Sequence, residues 1–437
     1  MCFPRLASPR SLETPTSAPL LIGHRAAIVE RTEMKEAESL TIRIESLAYG
    51  GAGVGRAAGR VVFVPFAAPG DILRVRIAED RGSYLKAEIL DIIQPSPLRR
   101  EPRCRHFGQC GGCTWQHVTY PGQLAAKESI LRESVRRIGG TEPVIGPIVA
   151  SPQEWGYRVR TRLKLGETGS LGYFAAGTNS LVEIEECPIL DPRLAERIPT
   201  LRSQYAGGLA RPTSPAAPPK SRGRTSGSDA PSGAAELAIG LGEADELLTS
   251  YSDPADREEA GGLGFTQANP EVNSRLQELV RDYAEESLGA GAPLLDLYCG
   301  DGNLSLPLAE RARRIVGFDS SEAAIRRARR RAAELGAARA DYWCASVESS
   351  RALILELSKE TGCLILDPPR KGLKGLAGFV ASLGIPLVLY VSCAPPALAR
   401  DLRMFIASGY RIELLQPLDM FPQSYHLETI AVLKRSP

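Results

Sequence analysis

No apolar run in the 437 residues approaches the ~20 needed to span a bilayer. The nearest candidate for an export signal, Ala18-Pro-Leu-Leu-Ile22, is shorter than a signal-peptide core and flanked by proline. A membrane is therefore not an expected partner, and a cytoplasmic location is. There is little surplus of charge of either sign, 53 Lys+Arg against 51 Asp+Glu for a formal +2, so an anionic partner has to be sought in local clustering. The nine cysteines, an odd number in a long chain without export signals, argue against a disulfide framework. They point instead to metal-binding or catalytic thiols in a reducing compartment. Residues 1–37, rich in Pro, Ser, Thr and charge, read as a disordered extension, and Met34 is a candidate start of translation.

What is present divides into domains, since single cores stop growing beyond about 250–300 residues. Residues 38–97 show short alternating segments punctuated by glycine, such as Leu40–Ile44, Val61–Val64, Ile72–Ile77 and Leu85–Ile89. They predict a small β-barrel of the oligonucleotide-binding type. Arg56, Arg60, Arg74, Arg76, Arg81 and Lys86 on its turns and alternate positions suit a phosphate backbone, or equally an ordinary solvated face. Residues 98–201 open with a cysteine cluster and carry Arg158, Arg160, Arg162 and Lys164 at alternate positions of a strand, a stronger nucleic-acid signal. Residues 202–262 are crowded with Pro, Gly, Ser and Ala and read mostly as linker, with a short element allowed at Glu236–Leu248. From residue 263 to 437 apolar strands alternate with helical patterns, which predicts a doubly wound α/β sheet. Its helix from Ser320 to Leu335 has Ile325, Ala328, Ala332 and Leu335 on one face, Ser320 as cap and Gly336 as stop. Its arginines are expected to be solvated.

Five motifs carry chemistry. Leu294-Leu-Asp-Leu-Tyr298-Cys-Gly300-Asp-Gly-Asn303 runs from a strand into a Gly-x-Gly turn, and Asp319 ends the next strand nineteen residues after Gly300. A carboxylate there suits ribose hydroxyls. The turn lacks a third glycine and places Asp301 where a pyrophosphate would lie, so S-adenosylmethionine fits better than a dinucleotide. Leu364-Ile-Leu-Asp367-Pro-Pro-Arg-Lys-Gly372 sets a carboxylate at another strand end. Leu387–Val391 leads to Cys393, followed by Ala394-Pro395-Pro396, so a buried strand delivers a thiol to the ligand-binding edge of the sheet, where a nucleophile is expected. Cys104-x5-Cys110-Gly-Gly-Cys113, with Cys187 further on, predicts a metal or cluster site. Zinc and a [4Fe–4S] centre both remain open, and His106 and His117 allow a mixed zinc site. Finally, Asp419-Met-Phe-Pro-Gln-Ser-Tyr-His-Leu-Glu428 places Glu428 before the last strand as a candidate base.

Taken together these segments resemble the RNA uracil-5-methyltransferase family from about residue 38 to the end, apart from the linker. Phe265-Thr-Gln267-Ala-Asn resembles that family's Phe-x-Gln-x-Asn segment. The resemblance implies a Rossmann-like class I methyltransferase domain, preceded by a TRAM barrel and a central α+β domain with a [4Fe–4S] cluster on Cys104, Cys110, Cys113 and Cys187. It further implies that Gln267, Tyr298, Gly300, Asn303, Asp319, Ser346 and Asp367 line the cofactor and base sites, with Cys393 as nucleophile and Glu428 as base. The implied partner is RNA, 23S ribosomal RNA first and transfer RNA second, acted on by a monomer. A different class of function is a non-catalytic RNA-binding or redox-sensing iron–sulfur protein. Its motive is Ala394-Pro-Pro-Ala397, where the family usually has Asn-Pro-x-Thr. A cytosine-methylating enzyme is disfavoured because such enzymes usually carry a second cysteine where this chain has Asp367.

Overall fold

The structure is a computed structural model that describes residues 39–166, 169–205, 235–242, 246–252, 267–288 and 291–435. The expectations for residues 1–37 lie outside it. The first five strands, β1 (Ser39–Leu47), β2 (Gly53–Ala57), β3 (Arg60–Val64), β4 (Ile72–Asp80) and β5 (Tyr84–Gln94), close into a barrel of order β1-β2-β3-β5-β4. Alternation drives the closure: Ile42, Ile44, Val62, Val64, Leu73, Val75 and Leu85 fill the interior while the intervening residues face out. The barrel's basic residues are largely paired with acids on its own surface, Arg74 with Asp91 and Arg76 with Glu88 among them. That favours the solvated-face reading for those positions.

Buried polar contacts fasten the barrel to the next stretch of chain. Asp71, fully buried, accepts from the Ala68 and Ser96 backbone N–H groups and pairs with Arg99 at 2.5 Å. The indole N–H of Trp115, also fully buried, donates to the Gly51 carbonyl at 2.9 Å. Gly51 has φ +98°, and a Cβ there would come within 3.0 Å of Thr114, so glycine is needed both for the turn and for the contact. Helix α1 (Tyr120–Ser134) then leads into a π-helical turn, Val135–Gly139.

A second sheet combines β6 (Arg160–Leu165), β7 (Leu171–Phe174), β8 (Leu181–Glu183), β9 (Ala235–Leu241) and β10 (Leu247–Ser252) in the order β10-β9-β6-β7-β8. Helices α2 (Pro192–Ala195) and α3 (Ile198–Tyr205) come after β8. Two of these strands fill the short element allowed at Glu236–Leu248 and extend it to Ser252: β9 runs antiparallel to both β6 and β10 across six residue pairs each. Its Leu237 and Ile239 are buried among Leu163, Leu165 and Leu171.

The remaining chain forms a seven-stranded sheet, as the alternation predicted. It contains α4 (Pro270–Leu288), β11 (Leu294–Leu297), β12 (Ile315–Asp319), α5 (Glu322–Glu334), β13 (Ala340–Cys344), α6 (Arg351–Ser358), β14 (Cys363–Leu366), α7 (Ala377–Ser382), β15 (Leu387–Ser392), α8 (Pro395–Ala407), β16 (Tyr410–Leu418) and β17 (Glu428–Arg435), with strand order β13-β12-β11-β14-β15-β17-β16. The central strands β11, β14 and β15 are buried at every position, as parallel strands covered on both faces must be. The cap of α5 is Ser321 rather than Ser320, because the Asp319 carboxylate takes the Ser321 N–H and turns the chain one residue later. Leu335, expected on the buried face, is 65% exposed where the helix ends. Among the described residues no helix is long and apolar enough to cross a membrane.

Candidate active site

Strand register assembles the cleft. Leu297, Phe318, Leu366 and Tyr390 lie side by side across β12-β11-β14-β15, so the residues just beyond them, Tyr298, Asp319, Asp367 and Cys393, emerge along one edge of the sheet. β17 runs antiparallel to β15 with Thr429 opposite Ser392. The first residue of β17, Glu428, is therefore delivered beside Cys393. The cleft has a volume of about 1400 Å³, and Gln267, Tyr298, Gly300, Asn303, Asp319, Ser346, Asp367, Cys393 and Glu428 all line it.

Each side chain has a local reason for its position. Tyr298 has φ +66° and Gly300 φ +54°, a turn that a non-glycine residue enters at a cost and that marks a site held in shape by its surroundings. Asp319 accepts the Gly300 N–H at 3.0 Å and the Ser321 N–H at 2.8 Å, bracing both sides of the turn. The Asn303 amide is exchanged with Asn273 and bonded by Gln277 of α4, so it ties the turn to that helix. Ser346 accepts the Ser349 N–H at 3.1 Å. Cys393, half-buried, sits between the end of β15 and the first turn of α8, where Pro395 lacks the N–H that would be unpaired anyway. Ala394 occupies the N-cap position without a side-chain bond. Asp401 of α8, almost wholly buried, accepts from the Leu373 N–H and the Tyr390 hydroxyl at 2.7 Å each, which fixes the loop after Asp367.

Desolvation dominates the electrostatics. Burial pushes the Asp367 carboxyl up to about 7, with Asp319 adding to the shift. Glu428 is raised by burial and then by Asp367, against the opposing charge of Arg370. Burial and the neighbouring Glu428 push the Cys393 thiol up to about 11, again opposed by Arg370. His426, held down to about 4 chiefly by burial, is neutral at physiological pH. The floor is thus rich in carboxyl groups, two of which, Asp367 and Glu428, burial biases toward the neutral form. The rim carries Arg370, Lys371 and Lys374 on one side and Arg160, Arg162 and Lys164 on the other. The latter three alternate along β6 with buried Thr161, Leu163 and Leu165, as the spacing predicted. Arg158 belongs with the cysteines instead. Three α5 arginines read as solvated are engaged: Arg327 lines the cleft, Arg329 donates to the Tyr342 carbonyl at 2.7 Å and Arg331 pairs with Asp301 at 3.1 Å.

Cys104, Cys110, Cys113 and Cys187 line a second cavity of about 510 Å³ that shares Gln267, Arg370, Phe421, Arg160 and Arg162 with the cleft. Burial pushes the Cys113 thiol up to about 12 and Cys187 up to about 11. Among the described residues no group of three or more His, Cys, Asp or Glu side chains is placed to hold a metal ion. His117 turns away to contact the Ala67 carbonyl at 3.2 Å beside the barrel, which removes it from a mixed zinc site. The described cysteines form no disulfide. Sequence reasoning did not single out Arg370, Phe421 or His426, although all three lie inside the motifs that carry the chemistry. It had no signal for the contacts of Gln123 and Lys127, whose partners Gln423, Asp419 and Phe421 lie about 300 residues away.

The barrel, the doubly wound sheet and the cleft at its carboxyl edge define a class I methyltransferase carrying a TRAM domain. The sequence profile of the tRNA (uracil-5-)-methyltransferase family matches residues 257–436, and that of the TRAM domain residues 34–90. The chain is 32% identical to the 23S rRNA (uracil(1939)-C(5))-methyltransferase RlmD of Alkalilimnicola ehrlichii over 91% of this chain and 97% of that protein. It is 34% identical to an uncharacterized RNA methyltransferase of Thermosynechococcus vestitus over 92% and 99% respectively. The crystal structure of Pyrococcus abyssi tRNA (uracil-54, C5)-methyltransferase in complex with S-adenosyl-L-homocysteine superposes with a TM-score of 0.62 and 25% identity, covering 90% of this chain and all of that one. The chain belongs to the RNA uracil-5-methyltransferase family, whose members are S-adenosylmethionine-dependent enzymes.

Proposed function

We propose that this enzyme methylates carbon 5 of a uridine in 23S ribosomal RNA by way of a covalent adduct on Cys393. The observation that carries the reading is the meeting of Cys393, Asp367 and Glu428 at one strand edge, in a cleft with a carboxyl-rich floor and a basic rim. Carbon 5 of uracil is a weak nucleophile, and addition of the Cys393 thiolate to carbon 6 makes it enolate-like. Carbon 5 then takes the methyl group from the sulfonium, leaving S-adenosylhomocysteine. Glu428 removes the carbon 5 proton, the carbon 5–carbon 6 double bond re-forms, and the thiolate departs. Asp367 and Gln267 hold the uracil edge, and the target nucleotide is flipped out of its helix to reach them. Transfer RNA is the second reading of the substrate, favoured by the likeness to the Pyrococcus enzyme. Both the ribosomal and the transfer RNA relatives support an enzyme over a vestigial binding protein.

Cys104, Cys110, Cys113 and Cys187 would hold the [4Fe–4S] cluster. Four soft thiol donors line one cavity, and an all-thiol donor set is the kind that iron–sulfur clusters take. Bound, the cluster would supply positive charge that keeps the sulfurs as thiolates despite their burial. Iron and sulfide analysis of anaerobically purified protein tests this. For the reaction, Cys393→Ala is expected to abolish methylation while S-adenosylmethionine still binds, and retained turnover would refute the nucleophile. Glu428→Gln is expected to trap a protein–RNA adduct on a denaturing gel. Mass-spectrometric mapping of RNA from cells lacking the gene identifies the uridine.

A further inference from the structure

The loop that carries Glu428 into the cleft is held from outside its own sheet. Lys127 of α1 pairs with Asp419 at 2.5 Å, both side chains wholly buried, and donates to the Phe421 carbonyl at 3.0 Å. One turn earlier on the same face of α1, Gln123 meets Gln423 twice. The Gln423 N–H donates to Gln123 Oε1 at 2.9 Å, and Gln123 Nε2 donates to Gln423 Oε1 at 3.0 Å. The Gln423 carbonyl accepts from the N–H groups of Thr114 and Trp115, each at 3.0 Å, and these two residues come directly after Cys113. Gln423 itself has φ +67°, a conformation that persists in a non-glycine residue when its surroundings over-determine it. A buried ion pair is a poor source of net stability but a good source of register.

We propose that Gln123 and Lys127 are positioning residues for proton removal from carbon 5, acting through the loop on Glu428. The proposal rests on the reading of Glu428 as the base. Glu428 opens β17 and pairs with Leu418 at the end of β16, so it is the sheet residue at which the Asp419–Leu427 loop ends, whereas Cys393 and the Gly300 turn follow β15 and β11, and a loosened loop acts first on the position of the base. Adduct formation and methyl transfer then continue and resolution of the adduct stalls.

The test compares wild type, Gln123→Ala, Glu428→Gln and a Lys127→Met/Asp419→Leu double variant, which replaces the buried pair by apolar groups in case the single Lys127 change does not fold. The probes are unmodified transcripts of 23S rRNA and tRNA with methyl-labelled S-adenosylmethionine. Single-turnover methyl transfer, decay of the covalent adduct, deuterium exchange in residues 419–428 and melting temperature are measured. Gln123→Ala should transfer the methyl group within a few-fold of wild type while its adduct decays about 100-fold more slowly, the scale of loss for a group displaced by about 1 Å. Exchange in residues 419–428 should rise, and the double variant should behave alike. Wild-type decay in Gln123→Ala overturns the proposal. So does an equal fall in transfer, decay and melting temperature, the signature of a merely structural role. If Glu428→Gln accumulates no adduct, the reading of Glu428 fails first, and the positioning role falls with it.

Discussion

Cys393 works in a site where burial disfavours its reactive form. Its thiol is pushed up to about 11 by desolvation and by Glu428, with Arg370 opposing, so on the proposed covalent route the thiolate fraction at neutral pH limits attack. The rate of adduct formation is expected to rise about tenfold per pH unit between about pH 6 and 9. Stopped-flow or quench measurements across that range check it, and a flat profile would mean that another step limits. Asp296, buried on β11, is pushed up to about 7, chiefly by burial. Because its folded value lies above its unfolded one, its contribution to stability is present below about pH 4 and is lost as pH rises through 7. Asp296→Asn should therefore gain on wild type by roughly 1.4 kcal/mol per unit over that window, read from denaturant melts. The thiol itself was legible, since a continuous apolar run ending before two prolines puts its next residue at the ligand edge of a parallel sheet. The shifts were not, because they come from groups such as Glu428 and Arg370 that approach from other strands.

Among the elements, β6 shows what alternation encodes. Arg160, Arg162 and Lys164 share one face by the two-residue period of a strand, and the cleft they line supplies the reason for the charge. Replacing all three by alanine should weaken RNA binding and lower the slope of log affinity against log salt by about 2–3, with S-adenosylmethionine affinity unchanged. Filter binding at several salt concentrations measures both effects. The segment 202–262 shows the opposite case. Its average composition allowed only a short element at Glu236–Leu248, whereas Ala235–Leu241 is a full strand because β6 and β10 offer it hydrogen bonds on both sides. The neighbour of β15 was hidden, since nothing in the apolar pattern of residues 428–435 says that they run antiparallel between β15 and β16. That insertion is what brings Glu428 to Cys393.

For the molecule as a whole, the barrel, the cysteine loop and the Asp419–Glu428 loop are joined through buried polar contacts and a small apolar cluster of Leu47, Ala68, Trp115 and Val118 with Tyr425 packed against it. Trp115 is the clearest junction, fully buried and bonded to the Gly51 carbonyl of the barrel. Trp115→Ala should cost about 3–5 kcal/mol by calorimetry or denaturant melting, with the Gly51 turn among the first segments to lose protection from hydrogen exchange. Glycine, proline and apolar period determined by themselves that there is a barrel, a doubly wound sheet, and a set of turn and strand-end residues bearing a thiol and carboxyls. These features arise from steric and burial rules that act within a few residues. The meeting of Cys393 with Glu428, the basic rim facing the carboxyl-rich floor and the grip of α1 on the distant Asp419–Glu428 loop were decided only in three dimensions. They depend on strand order and on polar partners hundreds of residues apart, which no local pattern records.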